Sequence, residues 1–152
     1  MTIQKGDKLE NFSLQDQNEN EFALDDFKGM KVLLSFHPLA WTSVCTKQMK
    51  ALDRNHKIFT DNNTFPLGIS VDPVPSKKAW AEDMELDNLK ILSDFWPHGG
   101  LAKILGVFDA DHGFSGRVNI LLNEENEVIW VKEYELTELP DIDEVIDKVK
   151  NL

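Results

Sequence analysis

The chain has 152 residues, and a hydrophobic fraction of 41% fits one globular domain over residues 1–152 with a real core. Its 16 basic and 27 acidic residues give a formal charge of −11, which repels phosphate backbones and argues against nucleic-acid binding. One cysteine leaves no intramolecular disulfide and no thiolate zinc site, and the absence of a leader-like start or a long apolar run predicts a soluble cytoplasmic protein that does not bind membranes.

In chain order, Phe12–Leu14 and Glu21–Leu24 flank a polar tract and predict a short N-terminal hairpin. Lys31–Phe36 is a continuous apolar run, as expected of a strand covered on both faces. From Thr42 the period changes: Cys45, Met49, Leu52, His56 and Phe59 share one face of a predicted helix. Phe65–Val71 is a second buried strand, stopped by Asp72-Pro73, and Ser76 is placed to cap a helix from Lys77 to about Glu85. Within it, Lys77-Lys78 reads as a solvated face. Ile91–Ser93 predicts a strand, Leu101–Leu105 a helix, 118–122 and 127–135 a strand pair, and the stripe Ile142, Val145, Ile146, Val149 a closing helix. Strands alternating with helices, then a hairpin and a last helix, indicate an α/β domain with a central mixed sheet flanked by helices, an order that fits a thioredoxin-like core.

Cys45 follows the junction Phe36-His-Pro-Leu-Ala-Trp-Thr-Ser-Val-Cys45, so its sulfur falls in the first turn of a helix beginning near Trp41 to Ser43. Unpaired amides and the helix dipole favour an anion there, and the carboxyl ends of strands are where open α/β sheets place their sites. The competing reading is a small buried hydrophobe. Thr42 lies one turn before the sulfur, where its hydroxyl either caps the helix or meets the sulfur or its substrate. Arg117 is one of only two arginines and opens an apolar strand, either as a solvated edge or as a permanently charged fork aimed into a site. Pro38 stiffens the loop before the helix.

Together these residues resemble a peroxiredoxin. The family's loop reads Pro-x-x-x-Thr/Ser-x-x-Cys, which Pro38, Thr42 and Cys45 match, and its distant arginine matches Arg117. Ile69–Asp72, Leu92–His98 and Gly106-Val-Phe add support, and Phe36–Trp41 with Ser93–His98 is most similar to the AhpE-like 1-Cys branch. The resemblance implies that Cys45 attacks hydrogen peroxide, an organic hydroperoxide or peroxynitrite and becomes a sulfenic acid. Thr42 and Arg117 would bind and polarise peroxide and sulfur, Pro38 would shield the sulfur, and no metal, haem or flavin cofactor is called for. It also implies a homodimer or an assembly of dimers. Acidity alone falls short of such chemistry: a free thiol is about 3% ionised at pH 7, so full ionisation gains only about 30-fold. The remainder must come from donors aimed at the transition state.

Two departures stand out. Many relatives carry Glu three residues after the cysteine, where this chain has Gln48, a neutral amide that damps the arginine's charge less. No resolving cysteine exists, position 50 being Lys50, so the sulfenic acid needs an external reductant: a thioredoxin, a glutaredoxin-like protein or a low-molecular-weight thiol. Trp41, inside the loop, is a candidate wall of the pocket or a dimer contact. His98 and His112 lack the spaced cluster of a metal site. Two other functions stay open from the residues alone: a non-catalytic sensor that signals through oxidised Cys45, and an interaction domain with an inert buried cysteine.

Overall fold

A computed structural model describes residues 2–152. In chain order its elements are β1 (Ser13–Gln15), β2 (Glu21–Ala23), β3 (Lys31–Phe36), α1 (Ser43–Arg54), α2 (His56–Asp61), β4 (Thr64–Ser70), α3 (Val74–Asp83) and β5 (Lys90–Ser93). They continue with α4 (Gly100–Leu105), β6 (Phe108–Asp109), β7 (Phe114–Ser115), β8 (Arg117–Leu122), β9 (Val128–Tyr134) and α5 (Ile142–Asn151). Seven strands form one mixed sheet in the order β2-β1-β5-β4-β3-β8-β9. β3, β4 and β5 are parallel, β8 and β9 add on antiparallel beside β3, and the β1–β2 hairpin joins antiparallel to β5. The expected mixed sheet, flanking helices and N-terminal hairpin are all present.

Strand alternation divides the sheet's two faces. Val32, Leu34 and Phe36 pack with Val118, Ile120 and Leu122 into one apolar cluster, together with α4. Leu33 and Leu121 face the other way, into a cluster built with Cys45, Met49 and Leu52 of α1, Trp80 and Ala81 of α3, and Val145 and Val149 of α5. The period of two puts Ser35 on the Leu33 side, and Arg117 and Asn119 on the Leu121 side. Four polar or charged residues, Ser35, Gln48, Arg117 and Asn119, thereby lie on the helix-covered face that holds Cys45. Gly68, mid-β4, is required by close approach. A Cβ there would stand 2.3 Å from Met49 Sδ, 3.0 Å from Ile91 Cγ2 and 3.3 Å from His37 Cε1.

Three expectations are corrected. The helix predicted through Phe59 is two helices that meet at Asn55 (φ −101°, ψ 12°), whose side-chain Nδ2 donates back to the Ala51 carbonyl at 2.8 Å. Ser76 caps nothing, because α3 begins at Val74 behind Pro73, with Pro75 in the first turn where its missing N–H costs no bond. Lys77 is not solvated: it is fully buried while Lys78 is exposed, since Lys77 shares the inward face of α3 with Trp80, Ala81 and Met84. Among the described residues no helix is long and apolar enough to cross a membrane.

Candidate active site

β3 runs into the segment 37–42, and Thr42 takes the N-cap position of α1 with extended backbone (φ −89°, ψ 153°). Its carbonyl accepts the first helical bond, from Thr46 N–H at 2.9 Å, so the amides of Ser43, Val44 and Cys45 precede the hydrogen-bonded ladder. Cys45 thus occupies the first turn as expected, and it is 0% exposed. Because β8 is antiparallel to β3, with Val118 opposite Phe36, the residue that opens β8 lies where β3 ends. That residue is Arg117.

Arg117 is 2% exposed, which excludes the solvated-edge reading. Its Nη1 donates to Cys45 Sγ at 3.3 Å and to Gln48 Oε1 at 2.6 Å. Nε and Nη2 both donate to the Leu136 carbonyl, at 3.2 and 2.6 Å. A guanidinium has five N–H donors; four are committed here, and one N–H of Nη2 remains. All its hydrogen-bond partners are neutral unless the sulfur is ionised, and a buried cation left without an anion is costly.

The loop before α1 is tied at several points. Asp72 Oδ2 accepts from the Ala40 amide at 2.8 Å, and Trp41 Nε1 donates to Ser76 Oγ at 3.1 Å. Trp41 is left-handed (φ 70°) and 51% exposed, and the bond to Ser76 ties its indole to α3. Thr42 Oγ1 neither caps α1 nor donates to the sulfur: its hydrogen goes to the Leu39 carbonyl at 2.7 Å. Pro38 is buried beside it in sequence. His98 and His112 are not brought together as ligands: His98 Nε2 pairs with the Gly113 carbonyl, and His112 Nδ1 with Asp109 at 2.7 Å.

Further polar groups lie near the site. Lys77 Nζ donates to Ser70 Oγ at 2.6 Å, and Ser70 in turn donates to Asp72 Oδ2 at 2.6 Å. Burial pushes Lys77 down to about 8, against the pull of Asp72, Cys45 and Asp94. His37 is fully buried, its ring centroid 5.4 Å from that of Trp80, and its Nε2 has no partner. Burial first, then Lys77, holds it well below the usual histidine range, so it is neutral at pH 7. Ser35 and Asn119 were hidden inside apolar strands. The signal that finds them is the alternation itself, a polar residue on a face otherwise covered by helices.

A family model described as the AhpC/TSA family matches residues 5–131. The chain is 38% identical to alkyl hydroperoxide reductase E of Mycobacterium tuberculosis over 70% of its own length and 69% of that protein's. It is 31% identical to a thiol peroxidase of Staphylococcus epidermidis, covering 99% of this chain and 90% of that one. Among solved structures, the reduced 2-Cys peroxiredoxin of Plasmodium vivax superposes with a TM-score of 0.88 at 26% identity, over 95% of this chain and 79% of that chain. The peroxidoxin BcpB of Mycobacterium tuberculosis gives 0.84 at 25%, over 97% of each.

Proposed function

The chain belongs to the AhpC/TSA family and is a peroxiredoxin, a thiol-dependent peroxidase, and we propose that it works as a 1-Cys enzyme in which Cys45 is the only redox centre. The observation that carries this is the direct contact of a buried arginine with the one cysteine sulfur in the chain, at the start of a helix. Cys45, as thiolate, attacks the terminal oxygen of a hydroperoxide. The O–O bond breaks, its electron pair leaves with the distal oxygen, and that oxygen takes a proton to become water or an alcohol. Sulfur is oxidised to the sulfenic acid.

Each neighbour has one task. Arg117 holds the thiolate through Nη1 and keeps one N–H of Nη2 for the peroxide, where charge develops as the bond stretches. The Thr42 hydroxyl has spent its hydrogen on Leu39, so it meets the substrate as an acceptor, taking the hydrogen bond of the peroxide O–H. Pro38, which has no N–H, closes the loop side without competing for the sulfur. Gln48 holds Arg117 without neutralising it. Cys45 is wholly covered, so peroxide reaches the sulfur as the segment 38–42 shifts. The sulfenic acid is then attacked by an external thiol, which releases water and leaves a mixed disulfide, and a second thiol regenerates Cys45. Candidate physiological reductants are a thioredoxin, a glutaredoxin-like protein or a low-molecular-weight thiol, and substrates are hydrogen peroxide, organic hydroperoxides and peroxynitrite. We place the protein in the cytoplasm as a homodimer or an assembly of dimers. Exposed apolar side chains support the assembly: Leu39, Trp41, Phe95 and Trp96 are 36%, 51%, 47% and 81% exposed.

The test is titration of the reduced protein with one equivalent of hydrogen peroxide, trapping with dimedone and mass spectrometry, then turnover with dithiothreitol. One dimedone adduct on Cys45, many peroxides consumed per chain, and loss of both in Cys45→Ser are expected. Oxidation without turnover sinks the enzymatic reading and leaves a sensor.

A further inference from the structure

Leading away from Cys45, a hydrogen-bond chain starts at Arg117 and every link in it points the same way. Arg117 Nη1 donates to Gln48 Oε1 (2.6 Å) and Gln48 Nε2 donates to Ser35 Oγ (2.7 Å). Ser35 Oγ donates to Asn119 Oδ1 (2.7 Å), and Asn119 Nδ2 donates to the Tyr134 hydroxyl oxygen (3.3 Å). Ser35, Gln48, Asn119 and Tyr134 are 0%, 3%, 1% and 5% exposed, so bulk water cannot replace these links. The chain follows from strand register: Ser35 and Asn119 are directly opposed across β3 and β8, and Tyr134 is the diagonal neighbour of Asn119 on β9.

A glutamine side chain is nearly symmetric in shape, and it can offer Arg117 either its oxygen or its NH2 group. Only the oxygen is tolerable in a dry pocket, because the alternative sets donor against donor beside a buried charge. Serine and tyrosine hydroxyls accept either direction, so the direction is chosen at the ends. One end is the Arg117 cation. The other is Tyr134, whose phenol is raised to about 12 by burial, with Asn119 opposing and Glu144 and Glu138 adding to the rise. It therefore stays protonated, and its oxygen accepts from Asn119 Nδ2. The cation at one end sets the direction of every dipole along the chain, and aligned hydrogen bonds polarise and strengthen one another.

We propose that Ser35, Asn119 and Tyr134 are positioning residues for peroxide reduction: through this one-way chain they fix Gln48 with its oxygen on Arg117, and so keep the guanidinium aimed at Cys45 with one N–H free for substrate. The proposal rests on the roles of Cys45 and Arg117 given above. It also explains Gln48 as one part of a matched set. A carboxylate at position 48 has no N–H for Ser35, so the serine hydroxyl must turn back toward it and the Asn119 amide must reverse.

The test compares two reactions of the reduced full-length protein at pH 7, oxidation by hydrogen peroxide and alkylation by iodoacetamide, in wild type and variants. Alkylation uses the same sulfur and demands nothing of an O–O bond. In Ser35→Ala and Asn119→Leu the peroxide rate constant is expected to fall roughly 5- to 20-fold, as for loss of one or two net hydrogen bonds, and in Tyr134→Phe by about 2-fold. Iodoacetamide rates are expected to stay within about 3-fold of wild type, by the same scale. Combining Ser35→Ala with Gln48→Leu is expected to slow peroxide no more than Gln48→Leu alone, because both cut one path. Equal losses in the two reactions, or losses that multiply in the double variant, overturn the chain as a positioning device. Should Asn119→Leu not fold, Asn119→Thr suits the strand and still removes the amide. Arg117→Met is the control. If it leaves the peroxide rate unchanged, the reading of the site itself fails; if it slows that rate while Ser35→Ala and Asn119→Thr do not, only the chain fails.

Discussion

On the β8 side of Cys45 the polar groups are Arg117, Gln48, Ser35 and Asn119; on the α3 side they are Lys77, Ser70, Asp72 and Asp94. Both sets are buried, apart from the half-buried Asp72, and both contain one cation, but they are built differently. The β8 set has no carboxylate in hydrogen-bond contact with its arginine, and its guanidinium reaches the sulfur. The α3 set is ionic, and its hydrogen bonds reach the site through the loop: Lys77 to Ser70, Ser70 to Asp72, and Asp72 to the amide of Ala40. An arginine keeps its charge when buried and left short of anions, whereas a lysine gives up its proton. In the proposed reaction the residue suited to polarise a peroxide is therefore the arginine, and the lysine, with its variable charge, is placed to adjust how firmly the loop is held. Neutral His37 lies between them.

The largest effect that separates the two sides is on chemistry. Arg117→Met is expected to lower the peroxide rate constant by about 100- to 1,000-fold, the usual loss for one preorganised donor to developing charge. Lys77→Met at pH 7 is expected to lower it by less than about 10-fold, since Lys77 acts through two hydrogen bonds and a backbone amide. Stopped-flow oxidation of both variants decides it, and a Lys77→Met loss as deep as that of Arg117→Met erases the distinction.

The next effect is on stability. Lys77 has a folded-state value of about 8 against 10.5 for an ordinary lysine, so between those values the unfolded chain binds more protons and the folded state gains stability as pH rises. The gain is on the order of 2–3 kcal/mol across that window, it disappears as pH falls through about 8, and Lys77→Met is expected to lack it. Urea unfolding of both proteins at pH 7.5 and 10 measures the difference, and parallel pH profiles would remove Lys77 as its source.

The smallest test concerns the boundary. Gly68 lies against Met49 of α1 and His37 of the loop, and Gly68→Ala forces the thioether aside. A cost of about 1–3 kcal/mol in unfolding free energy is expected, with the iodoacetamide rate rising as the packing over Cys45 loosens. A neutral substitution would show that the contact has slack.

The sequence carried one side of this comparison better than the other. Cys45, Thr42 and Arg117 stood out because each breaks a local pattern: a thiol at a helix start, a hydroxyl one turn before it, a charge opening an apolar strand. The contact between Cys45 and Arg117 spans 72 residues and depends on β8 lying antiparallel to β3, which no local pattern specifies. Lys77 was misread because adjacent lysines look solvated, although its spacing from Trp80, Ala81 and Met84 places it on their face. The Thr42 hydroxyl was read as a cap or as a contact to the sulfur or its substrate; the Leu39 carbonyl takes its hydrogen, across a three-residue turn set by the backbone of the loop, and its oxygen stays open as an acceptor. Ser35 and Asn119 need both strand alternation and register before their opposition is visible.

The indole of Trp41 has a consequence for observation. Of the four tryptophans, Trp80 is fully buried and hydrogen-bonded to Thr46, while Trp41 sits half in solvent four residues from the sulfur, held by one bond to Ser76. Its emission answers to the solvent relaxation of its own loop, and that of Trp80 to a rigid interior. In the proposed reaction a shift of the segment 38–42 that admits peroxide carries Trp41 with it, so the loop carries its own fluorophore. The wavelength of that light, read against time, separates opening of the loop from oxidation of the sulfur.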